Sequence, residues 1–338
     1  MMRKRNYNAI DLAKYLSALL VVCIHTYPFF EISETFNTYW IQTVCRLAVP
    51  FFFVCSGFFF FRKWSADEIV NQDNLIRYEK RLLKIYLIWT VIYLPYTIWD
   101  YAHANFRIYH ILSYLRDVLL NGSYYHLWFL PALMLSTFIV YGLYQRHGLQ
   151  RTLTISFALY FIGYLINVYT PIWESLPGIS FFFGFFTKVL VTARDGFFFG
   201  PMFVAMGLFL SKTRRLVHRI ALMGWGISFV LLVLEVMIYR HFDLLRDLTS
   251  MYLMLVPAVF FMTNALLTFR PKWKLNYKDL RAESLLIYTS HILFAKIFLT
   301  ALPHAHIVVY FLTLACSQCF ATLVVRNKDK YPILQHLI

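Results

Sequence analysis

The chain has 338 residues, of which 60% are hydrophobic, 20% aromatic and only 14% charged, with a formal net charge of +15 at pH 7. A soluble domain of this length would need far more polar surface, so the composition defines an all-α, polytopic integral membrane protein. The basic residues sit in short loops between apolar stretches, which reports membrane orientation and excludes nucleic-acid binding.

About ten spans follow in order, at roughly 9–30, 39–61, 82–99, 126–144, 152–168, 197–210, 220–239, 248–269, 284–302 and 307–325. The sixth is short, and the apolar stretch before it, Ile179–Leu190, reads as a re-entrant or interfacial segment. Loop 100–125 carries Ile108, Ile111, Leu112, Leu115, Val118 and Leu119 at the spacing of an amphipathic helix lying on the interface. With the N-terminus in the cytoplasm, 24 of the 32 Lys and Arg residues fall on the inner side, Arg3, Lys4 and Arg5 among them. Six fall in outer loops, and Arg46 and Lys296 lie inside spans. That bias places both termini in the cytoplasm. The first apolar run is too long for a signal-peptide core and lacks a small-residue cleavage site, so it is expected to persist. A single transmembrane domain over 1–338 is expected, with no soluble domain appended. The five cysteines lie in apolar spans, and the Cys316–Cys319 C-x-x-C reads as two small apolar residues one turn apart. No metal site is expected.

Polar residues inside the spans carry the functional signal, because ionisable groups in a bilayer are costly. The first span, Ala9–Phe30, contains Asp11, Lys14 and His25. Lys14 and His25 are eleven residues apart, which puts them on one helix face about 16 Å apart along the axis. Arg46 lies in CRLAVPFFFVCSGFFFF, two turns inside the second span. It could snorkel to headgroups, but its depth and the nearby Pro50 favour a cavity, with a carboxylate, phosphate or acyl carbonyl as partner. Gly57, further along, allows a neighbouring helix close approach. His126 opens the fourth span at the outer mouth, either simply solvated or facing His25 and Arg46. Asp195, in TARDGFFFGP, is equally a site carboxylate or a turn cap. Glu235 could pair with Arg46 or His25, or reach water beside Arg240. On the inner side, Arg81 and Lys84 follow Arg77 and Lys80. They set orientation and touch anionic lipid, or join Lys14 around a polyphosphate-bearing donor. His291 continues a polar stripe from Ser284 and Tyr288 and is expected to be hydrogen-bonded within the bundle.

This layout describes a basic inner mouth and an acid/base outer chamber. Two readings fit. One is an enzyme moving an activated group from a cytosolic donor to an outer acceptor. The other is a transporter whose buried charges hold a zwitterion.

Lys14-x10-His25, with Asp11 before it, resembles the R/K-x10-H motif of the acyltransferase-3 family of integral membrane acyltransferases. RLAVPFFFVCSGFFF from Arg46 is similar to that family's second span, and HLWFLPAL from His126 and SLLIYTSH ending at His291 to its later landmarks. The resemblance covers nearly the whole chain. It implies about ten helices in a bacterial cytoplasmic membrane. It also implies transfer of an acetyl or succinyl group from a CoA thioester, with acetyl-CoA as co-substrate, to an extracytoplasmic saccharide, without a bound cofactor. On this resemblance His25, Arg46 and His126 are catalytic. Lys14, Arg81 and Lys84 bind the donor, and Asp11, Asp195, Glu235 and His291 give support. The implied partners are acyl-CoA, a glycan and the bilayer, and the chain is compatible with a homo-oligomer. Where the family often has R-x-x-R after the second span, this chain has Arg81-Leu-Leu-Lys84, and lysine keeps the charge but loses the bidentate fork. The hydrolase-like domain of some members is not seen. YHLWFLPA, RDGFFFGP and IYTSH also resemble the membrane halves of serine racemases from vancomycin-resistance clusters, to which serine transport is ascribed. The transporter alternative therefore stays open.

Overall fold

A computed structural model describes residues 6–103, 107–246 and 249–338, the side chain of Thr187 apart. Arg3, Lys4 and Arg5 lie outside the described residues. All regular structure among the described residues is helical.

Helix α1 (Asn8–Thr26) has Asp11 in its first turn, where the helix dipole favours a carboxylate. It stops at Tyr27, which adopts a left-handed conformation (φ 50°, ψ 55°) and returns its N–H to the Cys23 carbonyl. Helix α2 (Glu34–Thr43) is capped by Ser33, whose Oγ accepts from the Phe36 N–H at 3.2 Å. A 3-10 turn over Cys45–Leu47 then leads into α3 (Ala48–Phe61). The expected second span is thus one apolar path that tightens at Arg46. Pro50 has no N–H to return to the Arg46 carbonyl, so the regular ladder is interrupted there at no further cost.

Helix α4 (Glu68–His103) extends the expected third span well beyond its N-terminal end. Helix α5 (Ile108–Leu120) is the expected amphipathic element. None of its residues is buried, and Ile108, Leu112 and Leu119 are largely exposed. Helix α6 (Phe129–Val168) breaks at Gly148, whose φ of 72° only glycine adopts without strain. Its two arms run side by side. Ser136 on the first bonds to the Gly196 carbonyl at 3.0 Å, and Tyr160 on the second packs on Phe199. Next come α7 (Thr170–Ser175), α8 (Ile179–Leu190), α9 (Gly200–Lys212), α10 (His218–His241), α11 (Leu255–Thr268), α12 (Tyr277–Ala301) and α13 (His306–Asn327), then a 3-10 turn at Pro332–Leu337. The stretch read as re-entrant or interfacial is α8, with Phe181, Phe182 and Phe185 exposed.

Among the described residues, seven segments are long and apolar enough to cross a membrane: α1, the α2–α3 path, α4, α6, α10, α12 and α13. Helices α9 and α11 are apolar but shorter.

The core is centred on α3. A Cβ placed on Gly57 would lie 2.4 Å from the Val204 carbonyl oxygen, and one on Gly207 2.3 Å from that of Val54. Helices α3 and α9 therefore meet backbone to backbone, as small residues permit. Around them Phe53 packs edge-on to Phe129 (4.7 Å) and Phe199 (5.8 Å). Helix α1 lies against α12, α3 and α13. This packing gathers Tyr27, the 121–128 loop, the 191–199 loop and the start of α11 at one end of the bundle. Asp11 and Lys14 are at the opposite end.

Candidate active site

Three histidines stand in a row at that first end. The His25 ring, from α1, lies 5.2 Å from the His291 ring of α12, and His291 lies 5.2 Å from His126. His126 and His291 are buried, and His25 is half-buried. Backbone carbonyls decide the tautomers. His291 Nδ1 faces the Tyr288 and Ile287 carbonyls at 2.7 and 3.1 Å, so it carries the proton and Nε2 presents a lone pair. His126 Nε2 donates to the Thr289 carbonyl at 3.2 Å, leaving its Nδ1 as the lone pair. Both lone-pair nitrogens are buried without a partner among the described residues. His25 makes no hydrogen bond among the described residues. Tyr288 donates to the His126 carbonyl at 2.6 Å and Tyr93 to that of Thr289 at 2.8 Å, which locks the 121–128 loop onto α12. Among the described residues no three His, Cys, Asp or Glu side chains are arranged to hold a metal ion.

Arg46 is buried and faces inward rather than snorkelling. Its Nε donates to Gln42 Oε1 at 2.8 Å and one terminal nitrogen to the Thr249 carbonyl at 3.0 Å. Tyr252 donates to the same Gln42 oxygen.

Beside the histidines opens a cavity of about 680 Å³. Its walls include Tyr124, Tyr125, Trp128, Asp100, Asp117 and Arg194. Tyr125 packs on His25 at 5.2 Å and so joins the cavity to the histidine row. Lys296, which the sequence left unexplained inside a span, pairs with Asp100 and reaches the Tyr124 hydroxyl at 3.2 Å.

The remaining expected residues take varied places. Glu235 meets neither Arg46 nor His25. Its oxygens accept from Tyr239 OH (2.7 Å) and from the Leu253 and Met254 N–H groups (2.8 Å each), which closes the start of α11. Asp195 is the turn cap: Oδ1 accepts from the Phe197 and Phe198 N–H groups at 2.8 and 2.7 Å. Burial pushes its carboxyl up to about 6 against the pull of those amides, and Oδ2 has no partner. At the opposite end Asp11 is held by Arg281 through two bonds of 2.7 and 2.6 Å, a partner the sequence counted only as an inner charge. Lys14 lies over the Phe59 ring at 5.0 Å. Arg81 is exposed on α4, and Lys84 faces His336 at 2.9 Å. Helix α4 packs chiefly on α6 and the C-terminal turn.

Arg194 is the site residue that sequence reading passed over. It sits in the RDGFFFGP stretch and was counted only as an outer charge. Its guanidinium stacks over the Trp128 ring at 4.9 Å, and its Nε is buried without a partner. Burial first, and then the Arg46 charge, bring its pKa down to about 9.

A helical membrane bundle with a histidine row, a buried arginine and a second arginine in the wall of the adjoining cavity belongs to the class of integral membrane proteins with a reactive or substrate-binding end. The chain belongs to the acyltransferase-3 family: the family model described as "Acyltransferase domain" matches residues 7–326. An "Amino-acid racemase" of Enterococcus faecalis is 29% identical over 286 residues, which is 84% of this chain and 39% of that protein. A second from the same organism is 27% identical over 99% of this chain and 48% of its own length. A "Serine/alanine racemase" of Enterococcus gallinarum is 28% identical over 78% of this chain and 38% of its own. The chain thus spans half or less of the curated relatives it matches. No solved structure matches it.

Proposed function

We propose that the chain is a membrane O-acyltransferase. It moves an acetyl or succinyl group from cytosolic acyl-CoA to a hydroxyl of an extracytoplasmic envelope or secreted polysaccharide. The carrying observation is the contact chain from the 680 Å³ cavity through Tyr125 to His25. The two arms of α6, with α9 and α11, bring the crossing elements to about ten, which fits both termini in the cytoplasm and the histidine row in the outer half.

In this mechanism the acceptor enters the outer cavity and the donor thioester approaches from the inner end along the Lys14–His25 stripe. His25 takes the acceptor hydroxyl proton as that oxygen attacks the thioester carbonyl. Arg46 holds the oxyanion of the tetrahedral intermediate. Its collapse breaks the carbon–sulfur bond, and His25 returns the proton to the leaving thiolate. His126 and His291 border this step with fixed tautomers. Lys14 would hold donor phosphates, with Arg81 and Lys84 as the basic approach.

Mass spectrometry of surface polysaccharide tests the reading. Cells expressing the native chain should carry one added acyl group per modified residue, and cells expressing a folded His25→Gln protein should not. Equal acylation in the two would overturn it.

A second reading, an amino-acid transport module, is favoured by the relatives' names, "Amino-acid racemase" and "Serine/alanine racemase". Uptake of labelled serine into proteoliposomes without any acyl donor would select it.

A further inference from the structure

Among the described residues, which leave out Asp247, the buried charges around the cavity do not balance. Arg194 stands in the cavity wall and Arg46 is buried, and neither meets a carboxylate. A desolvated guanidinium is unfavourable unless something negative joins it. The described residues supply nothing of that kind. Asp195, next in sequence, turns its Oδ1 to the Phe197 and Phe198 amides. Asp100 pairs with Lys296, and Asp117 with Arg116 at 2.8 Å. Glu235 closes α11, and Glu31 accepts from the His306 N–H at 2.8 Å. No ion pair reaches Arg46 or Arg194 among the described residues.

Each guanidinium is nevertheless held in place. Arg46 is fastened by Gln42 and the Thr249 carbonyl, which leaves its second terminal nitrogen unengaged. Arg194 lies in the wall of the cavity and is held flat by the Trp128 face, with its Nε buried without a partner among the described residues. A guanidinium so placed offers an oxyanion several donors at once.

We propose that Arg194 forms a seat for a carboxylate or phosphate carried by the molecule that occupies the outer cavity. This deepens the acyltransferase reading by making the acceptor an anionic one, and it rests on that reading in taking the cavity as the acceptor site. The seat is a ground-state binding site. An arginine serving only the tetrahedral oxyanion would leave acceptor binding unchanged.

The test is equilibrium binding to the detergent-purified full chain with no acyl donor present, so its outcome does not depend on acyl transfer. Three pairs of near-isosteres serve as probes: glucuronate against glucose, glycerol phosphate against glycerol, and serine against serinol. At least one anion should bind about tenfold tighter than its neutral counterpart, the size of one charge-assisted hydrogen-bonded contact. The pair that discriminates identifies the source as an acidic sugar, a phosphorylated glycan or a free amino acid. Arg194→Gln should bring that pair to within about threefold, Arg194→Lys should retain part of the preference, and His25→Gln should leave it intact. Arg194 lies in a loop, so its variants are expected to fold. The proposal is overturned if no pair discriminates, if the preference survives Arg194→Gln, or if His25→Gln removes it as fully. Loss of acylation in cells with the preference intact would instead count against the acyltransferase reading alone.

Discussion

Replacing Arg281 with alanine strands a carboxylate. Asp11 is 1% exposed, and both its oxygens are engaged by the Arg281 guanidinium at 2.7 and 2.6 Å. Removing one partner of a buried pair costs about 3–5 kcal/mol, because the remaining charge has neither water nor a counter-ion. The Arg281 side chain is 54% exposed, so water takes up part of its place and the expected loss is near the lower end, about 3 kcal/mol. That is more than about a hundredfold in the folded-to-unfolded ratio. The neutral pair Asp11→Asn with Arg281→Gln leaves no stranded charge and is expected to lose about 1 kcal/mol. The consequence reaches the site, because α1 and α12 also carry the His25–His291 contact. Reversible denaturation of the full chain in detergent measures all three proteins. The reasoning fails if Arg281→Ala stays within about 0.5 kcal/mol of native, or if the double variant is as unstable as Arg281→Ala.

Gly57→Ala should destabilise by about 1–3 kcal/mol, since its Cβ meets the unyielding Val204 carbonyl. Gly142→Ala, with open space around it, should be neutral or stabilising by up to about 1 kcal/mol, and thermal midpoints compare the two. For Asp195, the folded carboxyl is pushed up to about 6, above its unfolded value. The protonated form is therefore favoured by the fold, and its stabilisation is present below about pH 4 and lost as pH rises through 6. Asp195→Asn keeps the cap without the charge, so its stability relative to native should grow by roughly 3 kcal/mol between pH 4 and 7, and denaturation across that range reads the sign. His291→Phe should cut acyl transfer by about tenfold, because the ring that packs on His25 at 5.2 Å and helps position it is changed, as initial rates would show.

What the sequence made legible follows from where its information is local. Lys14 and His25 share a face because helix periodicity is a property of one segment, and the amphipathic spacing of 108–120 likewise predicted α5. Gly57 was readable as a close-contact residue because a lone glycine in an aromatic run has few other uses. The partners were not legible. Asp11 and Arg281 are 270 residues apart, and nothing local links them. Glu235 looked like a partner for Arg46, but backbone amides exposed at the start of α11 were the nearer donors. Arg194 was hidden by the orientation count itself, which treats every loop cation as equivalent. The available signal was its position beside Asp195, in a stretch whose phenylalanines and glycines must pack tightly.

The central claim is that His25 catalyses acyl transfer at the cavity end of the bundle. Its most direct test supplies isotopically labelled acetyl-CoA and succinyl-CoA to proteoliposomes of the native chain and of His25→Gln, with polysaccharide present on the opposite face. The polysaccharide should carry labelled acyl groups with the native protein and at least about 10²-fold fewer with the folded variant. Equal labelling with both proteins, or none with either while labelled serine crosses the membrane, would contradict it.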